Sequence, residues 1–294
     1  MFAPKNEWNG CMQGMNTETK DTEKISVLMS VYKNDDPRHF HLAVESVINQ
    51  TVPADEIILT VDGPVPEALH REIENLREQC SYLKVFWLKE NVGLGNALNY
   101  GMEQCKNEII ARMDSDDISV PKRFEKQLQK FRENSNLTIV GGYIDEFMEN
   151  PDQPISIRKV PVENKEIHAK GVIRCPFNHP SVMFRKEDIL AVGGYKELYL
   201  FEDYYLWIRL LKHGCICENI PEILVHLRVG NGMLDRRRGK KYFESNKFLQ
   251  DYMLQHNMIS RWKYCFNIAA RWSVQVGMPD WMREVVYKKV LRKK

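Results

Sequence analysis

The first half of the chain alternates two hydrophobic periodicities, and this alternation constrains the fold more than any other feature of the sequence. Short apolar runs are separated by segments in which apolar residues recur three and four positions apart. Strands alternating with helices indicate a parallel sheet that is covered by helices on both faces. The four predicted strands are Ile25–Val31, Glu56–Val61, Leu83–Leu88 and Glu108–Met113.

The next part of the chain is less regular but carries local signals. Ser119 is predicted to cap the helix after the fourth strand, with Pro121 near its first turn, where the missing N–H costs little. Leu137–Val140 predicts a further strand, which we expect Gly141 and Gly142 to interrupt.

Helical patterns dominate the remainder. Tyr204–Lys212 predicts a helix with an apolar face, preceded by acidic residues and ended by Gly214. Three further helical patterns follow, over about 238–257, 260–276 and 280–292.

Composition excludes several classes of protein. Hydrophobic residues make up 43% of the chain and charged residues 28%, a balance typical of globular proteins.

The seven cysteines are odd in number and scattered, so we expect reduced thiols in a cytoplasmic protein. Cys215 and Cys217 are at most half of a zinc site, because no second pair at ligand spacing accompanies them. Neither a spanning segment of roughly 18 apolar residues nor a secretory signal is predicted.

The chemistry is expected where the predicted strands end, because ligands of open parallel sheets bind beyond the carboxyl ends of the strands. Acidic and amide side chains collect there, and carboxylates at one edge repel each other unless a cation or hydrogen-bond donors offset them. The segments at these ends are Tyr32–Asp36, Asp62-Gly63, Glu90-Asn91 and Asp114–Asp117.

Asp114 and Asp116 are two residues apart, so on an extended segment both side chains project to one side. Paired carboxylates whose shell is completed by phosphate oxygens suit Mg²⁺ or Mn²⁺. The alternative is an acidic turn that caps the following helix.

Other nucleotide-binding and hydrolytic motifs are absent from the sequence. Gly93–Leu98 has the first two glycines of a dinucleotide-binding loop, but Leu98 stands where the third belongs and the loop follows the third strand. A hydride-transfer enzyme is therefore excluded. The sequence also contains no Walker lysine loop, no G-x-S-x-G motif and no H-E-x-x-H motif.

Several sequence blocks follow one another in a fixed order along the chain. They begin with K-I-S-V-L-M-S-V-Y-K-N-D, the Asp62 after the second strand, N-V-G-L-G-N-A-L-N-Y-G and D-S-D-D. The later blocks are P-K-R-F-E-K-Q, N-H-P-S-V-M-F-R, F-E-D-Y-Y-L-W and L-V-H-L-R-V-G-N-G. Together they resemble an inverting family 2 glycosyltransferase of the GT-A fold. The tail, with R-R-R-G-K-K-Y, is similar to the subgroup that assembles bacterial O-antigen and exopolysaccharide repeat units, including amylovoran-type transferases.

The resemblance implies an α/β fold with a Rossmann-like, mostly parallel central sheet flanked by helices and a C-terminal helical extension. Residues 1–23 are expected to form a polar extension. Residues 24–232 would be the catalytic domain, with a nucleotide-binding half over 24–118 and an acceptor half over 119–232. Residues 233–294 would form a basic helical region.

The resemblance also implies roles for residues that bind a UDP-sugar donor. Tyr32 and Asp62 are expected to hold the uracil base by stacking and hydrogen bonding, and Asn91 lies beside them. Asp114 is expected to face the ribose or diphosphate, and Asp116 to bind Mn²⁺ or Mg²⁺.

Roles in catalysis and acceptor binding follow from the later blocks. Asp203 matches the catalytic base, with Glu202 shaping the acceptor site; capping of the helix is the simpler interpretation and is compatible. Arg123 is expected either to neutralise carboxylates or contact the donor, or to be a helix-surface charge. His179 contacts donor or acceptor or is structural, and Trp207 lines the sugar pocket or, more simply, packs in the core.

One departure from the family pattern concerns the metal or diphosphate site. Many relatives have a histidine shortly after the arginine of the V-H-L-R block, whereas Val229 follows Arg228 here. His226, Asn231 or the diphosphate alone is left to fill that role. Arg228 is expected to contact the diphosphate, because guanidinium matches phosphate oxygens.

The expected activity is transfer of glucose or galactose from its UDP-sugar to a GalNAc- or GlcNAc-diphosphate-undecaprenol acceptor, with a β-linkage, most often β1,3. A sugar nucleotidyltransferase is one alternative, but the loop over 32–37 is acidic and has no glycine. A non-catalytic nucleotide-sugar-binding module is another, against which the intact Glu202-Asp203 pair argues.

The formal net charge of +2 hides a division of the chain. Residues 233–294 hold 15 Lys and Arg against 5 Asp and Glu, while residues 1–232 hold 27 against 35. Basic helices with interleaved aromatic residues suit an anionic membrane surface; the alternative, compatible with it, is a solvated basic face on helices that close over the catalytic domain. We expect a peripheral protein at the cytoplasmic face of the bacterial inner membrane, with no nucleic-acid partner.

Overall fold

The structure, a computed structural model, describes residues 24–230 and 239–277. The expected polar extension over 1–23 and the predicted helix over 280–292 lie outside these residues, as does Asn231.

The first half of the chain folds as predicted. Its four strands are parallel and stand in the order β3-β2-β1-β4, with β1 buried at the centre. Helices α1, α2 and α3 follow β1, β2 and β3 and cover both faces, because each buries one apolar stripe. The elements are β1 (Ile25–Val31), α1 (Pro37–Ile48), β2 (Glu56–Val61), α2 (Glu67–Gln79), β3 (Leu83–Trp87), α3 (Leu94–Gln104) and β4 (Ile109–Arg112).

The second half extends the same sheet through antiparallel as well as parallel pairs. Beyond β4 the order continues β8-β6-β9-β5, with β7 paired to β6. The α/β class is confirmed, and the sheet is mixed because β4–β8, β8–β6, β6–β7 and β9–β5 are antiparallel. The elements are β5 (Ile118–Ser119), α4 (Arg123–Glu133), β6 (Leu137–Phe147), β7 (Ser156–Arg158), α5 (Asn164–Gly171), β8 (Met183–Arg185), α6 (Lys186–Ala191), α7 (Glu202–Lys212) and β9 (Ile216–Arg228).

Strand β6 corrects the prediction that two glycines end it. The strand runs through Gly141 and Gly142 and pairs with β9 along its length. A Cβ at these positions would collide with the side chains of Asn219 and Leu224, so glycine is what allows β9 to approach. The glycines mark close packing, with a shift of register after Gly142.

The predicted Ser119 cap is also wrong. Ser119 lies in β5, where its backbone N–H donates to Ser46 Oγ (3.0 Å) and its own Oγ accepts from Gln50 Nε2 (3.2 Å). Helix α4 begins at Arg123 after Lys122, without a side-chain cap. Ser119 therefore pairs with β9 as part of β5, although the local sequence predicts that it caps the helix.

Two helices follow the sheet where helical patterns are predicted, α8 (Gly239–Gln255) and α9 (Arg261–Trp272). Leu249 and Met253 of α8 are fully buried in the core beside α7, whereas α9 buries no residue. A single π-helical turn, Ser273–Gly277, follows α9. Within 24–230 and 239–277, no helix has the length and apolar character needed to cross a bilayer.

Candidate active site

A cleft of about 630 Å³ opens at the carboxyl ends of the central strands. Its floor is the ends of β1, β2 and β4, and its sides are the start of α3, the segment before α7 and the end of β9. The residues lining it are Ser30–Tyr32, Asn34, Asp35, Asp62, Asn91–Asn96, Asp114–Asp117, Glu197–Leu200, Glu202, Leu227 and Arg228. The structure thus brings together the predicted residues Tyr32, Asp62, Asn91, Asp114, Asp116, Glu202 and Arg228.

Asp62, directly after β2, is held by the loop that leads into α3. Its Oδ1 accepts from the backbone N–H of Val92 (2.7 Å), and its Oδ2 accepts from Gly93 N–H (3.1 Å) and Asn91 Nδ2 (2.8 Å). Gly93 has φ of 86°, a left-handed conformation that glycine adopts without strain. The carboxylate is therefore oriented, and Oδ1 accepts only one of these hydrogen bonds.

Two other carboxylates of the cleft, those of Asp114 and Asp35, are held by an ion pair and by hydrogen bonds. Asp114 forms an ion pair with the buried guanidinium of Arg112, two residues before it. Asp35 accepts hydrogen bonds from Ser115 Oγ (2.9 Å) and from the backbone N–H of Tyr32 (3.0 Å). The loops after β1 and β4 are thereby linked across the cleft floor.

Burial and mutual repulsion raise the pKa of the acidic groups in the cleft. Burial, and after it the neighbouring charges of Asp114 and Asp35, raise the pKa of Asp116 to about 7. Burial also raises the pKa of Asp35 to about 6. These carboxylates therefore bind protons near neutrality unless a cation replaces the protons.

The donor set fits a hard divalent cation. Asp116, Asp35 and Asp114 offer carboxylate oxygens at one edge of an open cleft, and oxygen ligands of this kind suit Mg²⁺ or Mn²⁺.

Arg228 closes the cleft from the end of β9. Its backbone N–H donates to Asp117 Oδ1 (2.8 Å) and its Nε to the carbonyl oxygen of Asp116 (3.0 Å). Its guanidinium lies 4.5 Å from the centroid of the Phe147 ring. The arginine thus fixes the acidic loop and presents positive charge to the cleft.

His226, one of the candidates for the metal or diphosphate site, pairs with Asp145. Its Nδ1 lies 2.8 Å from Asp145 Oδ1, and it is not among the residues that line the cleft. Asp35, by contrast, lines the cleft.

Helix α7 brings its N-terminus, with Glu202, to the cleft. Glu202 lines the cleft, and its pKa is raised to about 7 by burial and by the adjacent Asp203. Asp203 lies beside it without lining the cleft, and its Oδ1 accepts from the N–H of Tyr204 (2.6 Å). The N-terminal end of the helix stabilises negative charge and so opposes the effect of burial on Glu202.

Arg123 lies neither in the cleft nor on the surface. Its side chain is fully buried, and its Nη2 donates to the carbonyl oxygens of Arg112 (2.7 Å) and Val182 (3.1 Å). Its Nε donates to Gln127 Oε1 (3.0 Å). The guanidinium supports the end of β4 from behind, so the expected donor contact and the expected helix-surface charge are both corrected. Its charge does act on the carboxylates of Asp117 and Asp114, as the remaining expectation has it.

His179 and Trp207 pack behind the cleft. Trp207 is fully buried and meets Phe177 edge to face, with centroids 5.5 Å apart, which confirms core packing. His179 Nε2 lies 2.9 Å from Tyr195 Oη, and burial lowers its pKa well below the usual value. The structural interpretation of His179 fits this position, since it does not line the cleft.

Three residues important to the site were missed by sequence reasoning. Asp35 falls within the predicted Tyr32–Asp36 segment, but nothing local separates it from Asp36, which caps α1. Asp117 is fully buried beneath Arg228. Arg112 had a usable signal, because a charged residue in an apolar strand two positions before Asp114 shares its face.

Cys215 and Cys217 meet His168 away from the cleft, with ligand atoms within 4.8 Å of one another. His168 Nε2 lies 2.9 Å from the carbonyl oxygen of Cys215, and the Cys217 thiol donates to Asn164 Oδ1 (3.2 Å). Among the described residues, no fourth metal ligand joins His168, Cys215 and Cys217. Reduced thiols stay a prediction.

The sequence is similar to known enzymes of polysaccharide assembly. A UDP-Gal:alpha-D-GlcNAc-diphosphoundecaprenol beta-1,3-galactosyltransferase of Escherichia coli is 39% identical over 274 residues, covering 93% of this chain and 98% of that protein. The amylovoran biosynthesis glycosyltransferase AmsE of Erwinia amylovora is 37% identical over 75% of this chain and 82% of its own length.

The fold is similar to that of solved structures of TarS from S. aureus. The TarS 1-349 structure in complex with UDP has a TM-score of 0.63 at 15% identity, covering 90% of this chain and 74% of that one. The sequence profile of Glycosyl transferase family 2 matches residues 26–193, which cover nearly all of β1 and the whole of β2 to β8. The cleft-lining aspartates lie within this range, whereas Glu197, Glu202 and Arg228 lie beyond it. The chain is therefore a member of glycosyltransferase family 2.

Proposed function

We propose that the chain transfers galactose or glucose from its UDP-sugar to a hydroxyl of a GlcNAc- or GalNAc-diphosphate-undecaprenol. The transfer inverts the anomeric centre and forms a β-linkage, for which we propose β1,3. The cleft carries this proposal. It runs from Tyr32 and Asp62, where we place the uracil base, to Glu202, where we place the acceptor. The E. coli relative, whose name gives UDP-Gal and GlcNAc-diphosphoundecaprenol as substrates, supports this choice, with UDP-Gal as the first donor to test.

The nucleoside end of the cleft fits a uracil base. Tyr32 is 36% exposed at the cleft and offers an aromatic face on which a base can stack. Oδ1 of Asp62 keeps a lone pair for an imide N–H of uracil, while the α3 loop fixes the carboxylate. Asn91 contributes by holding Asp62 Oδ2.

The diphosphate end of the cleft pairs acidic residues with Arg228. Asp116 would hold Mn²⁺ or Mg²⁺, with Asp35 and Asp114 beside it, and the ion would stabilise negative charge on the departing diphosphate. Arg228 presents its guanidinium at the same edge, where forked N–H groups match phosphate oxygens.

We assign the catalytic base to Asp203, next to Glu202 at the acceptor end of the cleft. Asp203 accepts the proton of the acceptor hydroxyl while that oxygen attacks the anomeric carbon from the face opposite the diphosphate. Glu202, on the cleft wall, orients the acceptor. Holding both substrates in one cleft removes much of the orientational freedom that opposes reaction.

Because the acceptor is linked to a lipid, we propose that the enzyme works as a peripheral protein at the cytoplasmic face of the inner membrane. Residues 24–232 would form the transferase domain, with the donor half ending near residue 118, and the basic region over 233–294 would approach the lipid.

A transfer assay tests the proposal. The purified chain is incubated with UDP-galactose, UDP-glucose or UDP-GlcNAc and with a short-chain GlcNAc- or GalNAc-diphosphate lipid, with Mn²⁺ or with a chelator. We expect a hexosylated lipid from UDP-galactose or UDP-glucose and loss of product on chelation. Conversion of UTP and a sugar 1-phosphate without transfer would instead identify a nucleotidyltransferase, and donor binding without product on any acceptor would identify a binding module.

A further inference from the structure

Helix α9 (Arg261–Trp272) packs on the protein with its polar side. Tyr264 Oη donates to Asp251 Oδ1 of α8 (2.7 Å), and Asn267 Nδ2 donates to Gln250 Oε1 (2.9 Å). Nη2 of Arg271 donates to the carbonyl oxygen of Ile173 (2.7 Å). These three contacts fix which side of the helix faces the protein.

The opposite side of α9 is apolar and faces outward. Trp262 is 87% exposed, Phe266 is 73% exposed and Trp272 is 52% exposed. Trp262 and Phe266 are four residues apart and therefore neighbours on the helix surface, and Ala269 and Ala270 continue the exposed face. A surface helix ordinarily has the reverse arrangement, with its apolar stripe toward the core. Exposed apolar patches of this kind mark interaction surfaces.

The charge of the region decides which partner fits this face. Helix α9 contains no acidic residue, and Arg261 and Lys263 flank Trp262. Residues 233–294 hold 15 basic against 5 acidic residues, so a second copy of the chain would bring like charge against like. An anionic lipid surface offers both the apolar medium for the aromatic rings and the negative charge for the cations.

We propose that the outward face of α9 is the membrane-binding surface, with Trp262 and Phe266 inserted at the interface of an anionic bilayer. The helix lies in the plane of the membrane, since 12 residues span about 18 Å, well short of a bilayer core of about 30 Å. This inference rests on the proposed function only for its purpose, which is to bring the cleft to a lipid-linked acceptor.

Helix α8 connects this surface to the cleft. Its first turns contact the cleft wall, where the Tyr242 ring lies 4.8 Å from that of Phe201 and Lys241 Nζ lies 4.0 Å from the Tyr199 ring centroid. Its last turns carry Gln250 and Asp251, which hold α9. A docked α9 therefore keeps a fixed relation to the cleft.

Vesicle flotation of the full chain tests the proposal. Vesicles of phosphatidylglycerol and phosphatidylethanolamine are compared with neutral phosphatidylcholine vesicles. We expect wild type to bind the anionic vesicles and the double variant Trp262→Ser with Phe266→Ser to lose roughly tenfold or more in partition coefficient. The matched control replaces two exposed apolar residues of other helices, Leu42→Ser with Leu190→Ser, and should bind like wild type.

Activity separates this inference from the proposed function. The α9 double variant should keep wild-type turnover on a detergent-dispersed short-chain acceptor and lose turnover on a long-chain acceptor embedded in anionic vesicles. Absence of transfer by wild type on every acceptor would contradict the proposed function and leave the flotation result standing. The inference would be overturned if the α9 double variant bound vesicles as well as wild type. It would also be overturned if wild type formed a dimer and the double variant lost the dimer without any change in flotation.

Discussion

At the scale of single residues, burial decides what each charged group can do. Arg123 and Asp116 lie within ten positions of each other in sequence, yet Arg123 is sealed behind β4 while Asp116 lines the cleft. Burial lowers the pKa of Arg123 to about 9 and raises that of Asp116 to about 7. Buried carbonyl groups surround the first, whereas the second faces space that a cation can enter.

The two carboxylates of α7 are predicted to have separable roles. Asp203→Asn should lower kcat by about 10² to 10⁴-fold, because the acceptor hydroxyl loses its base, with UDP affinity unchanged. Glu202→Gln should mainly raise the KM for the acceptor, because this side chain lines the cleft. Steady-state kinetics and UDP titration calorimetry measure both effects. Near-normal turnover by Asp203→Asn would contradict the assignment of the base.

His179 should make the protein less stable in acid. Its pKa is lowered by burial, so below about pH 6.5 the unfolded chain binds a proton that the folded protein does not. Its contribution to the free energy of unfolding should fall by up to about 1.4 kcal/mol per pH unit as the pH drops. Urea unfolding from pH 7.5 to 5.5 should show that His179→Gln loses this dependence, whereas His213→Gln, at an exposed position, retains it. Parallel pH profiles of wild type and His179→Gln would refute the prediction.

At the scale of helices and strands, sequence reasoning succeeded where the signal is local. The strand ends that carry Asp62 and Asp114 could be predicted because each strand is a short apolar run followed by polar residues. It failed at Gly142 and Ser119, because both belong to contacts with β9, about 80 to 105 positions away in sequence. The orientation of Asp35 and the burial of Arg123 depend on the same kind of long-range packing.

Helix α3 carries a testable example of such packing. A Cβ on Gly101 would lie 2.6 Å from Thr60 Oγ1 and 2.7 Å from Leu28 Cδ1, so the helix sits on the sheet at this glycine. Gly101→Ala should therefore lower the free energy of unfolding by about 1–3 kcal/mol. Gly95→Ala, in the same helix, meets its nearest neighbour at 3.4 Å and should change stability by less than about 0.5 kcal/mol. Equal urea midpoints for the two variants would contradict this account of α3.

At the scale of the whole molecule, charge is divided between an acidic cleft and a basic C-terminal region. Counting residues was enough to predict the division, since 233–294 carry 15 of the 42 basic residues and only 5 of the 40 acidic ones. Counting could not show which face of α9 is free, because the polar contacts of Tyr264 and Asn267 determine that. The cleft and the outward face of α9 together suit an enzyme whose donor comes from water and whose acceptor comes from a membrane.

The proposed reaction is a single displacement across the cleft, with the UDP-sugar at one end and the catalytic base at the other. The configuration of the new glycosidic bond tests it most directly, and proton NMR of the released product gives that configuration from the coupling of the anomeric proton. From an α-linked UDP-galactose or UDP-glucose donor, we predict the large coupling of a β-linkage. The small coupling of an α-linkage would contradict the proposed reaction.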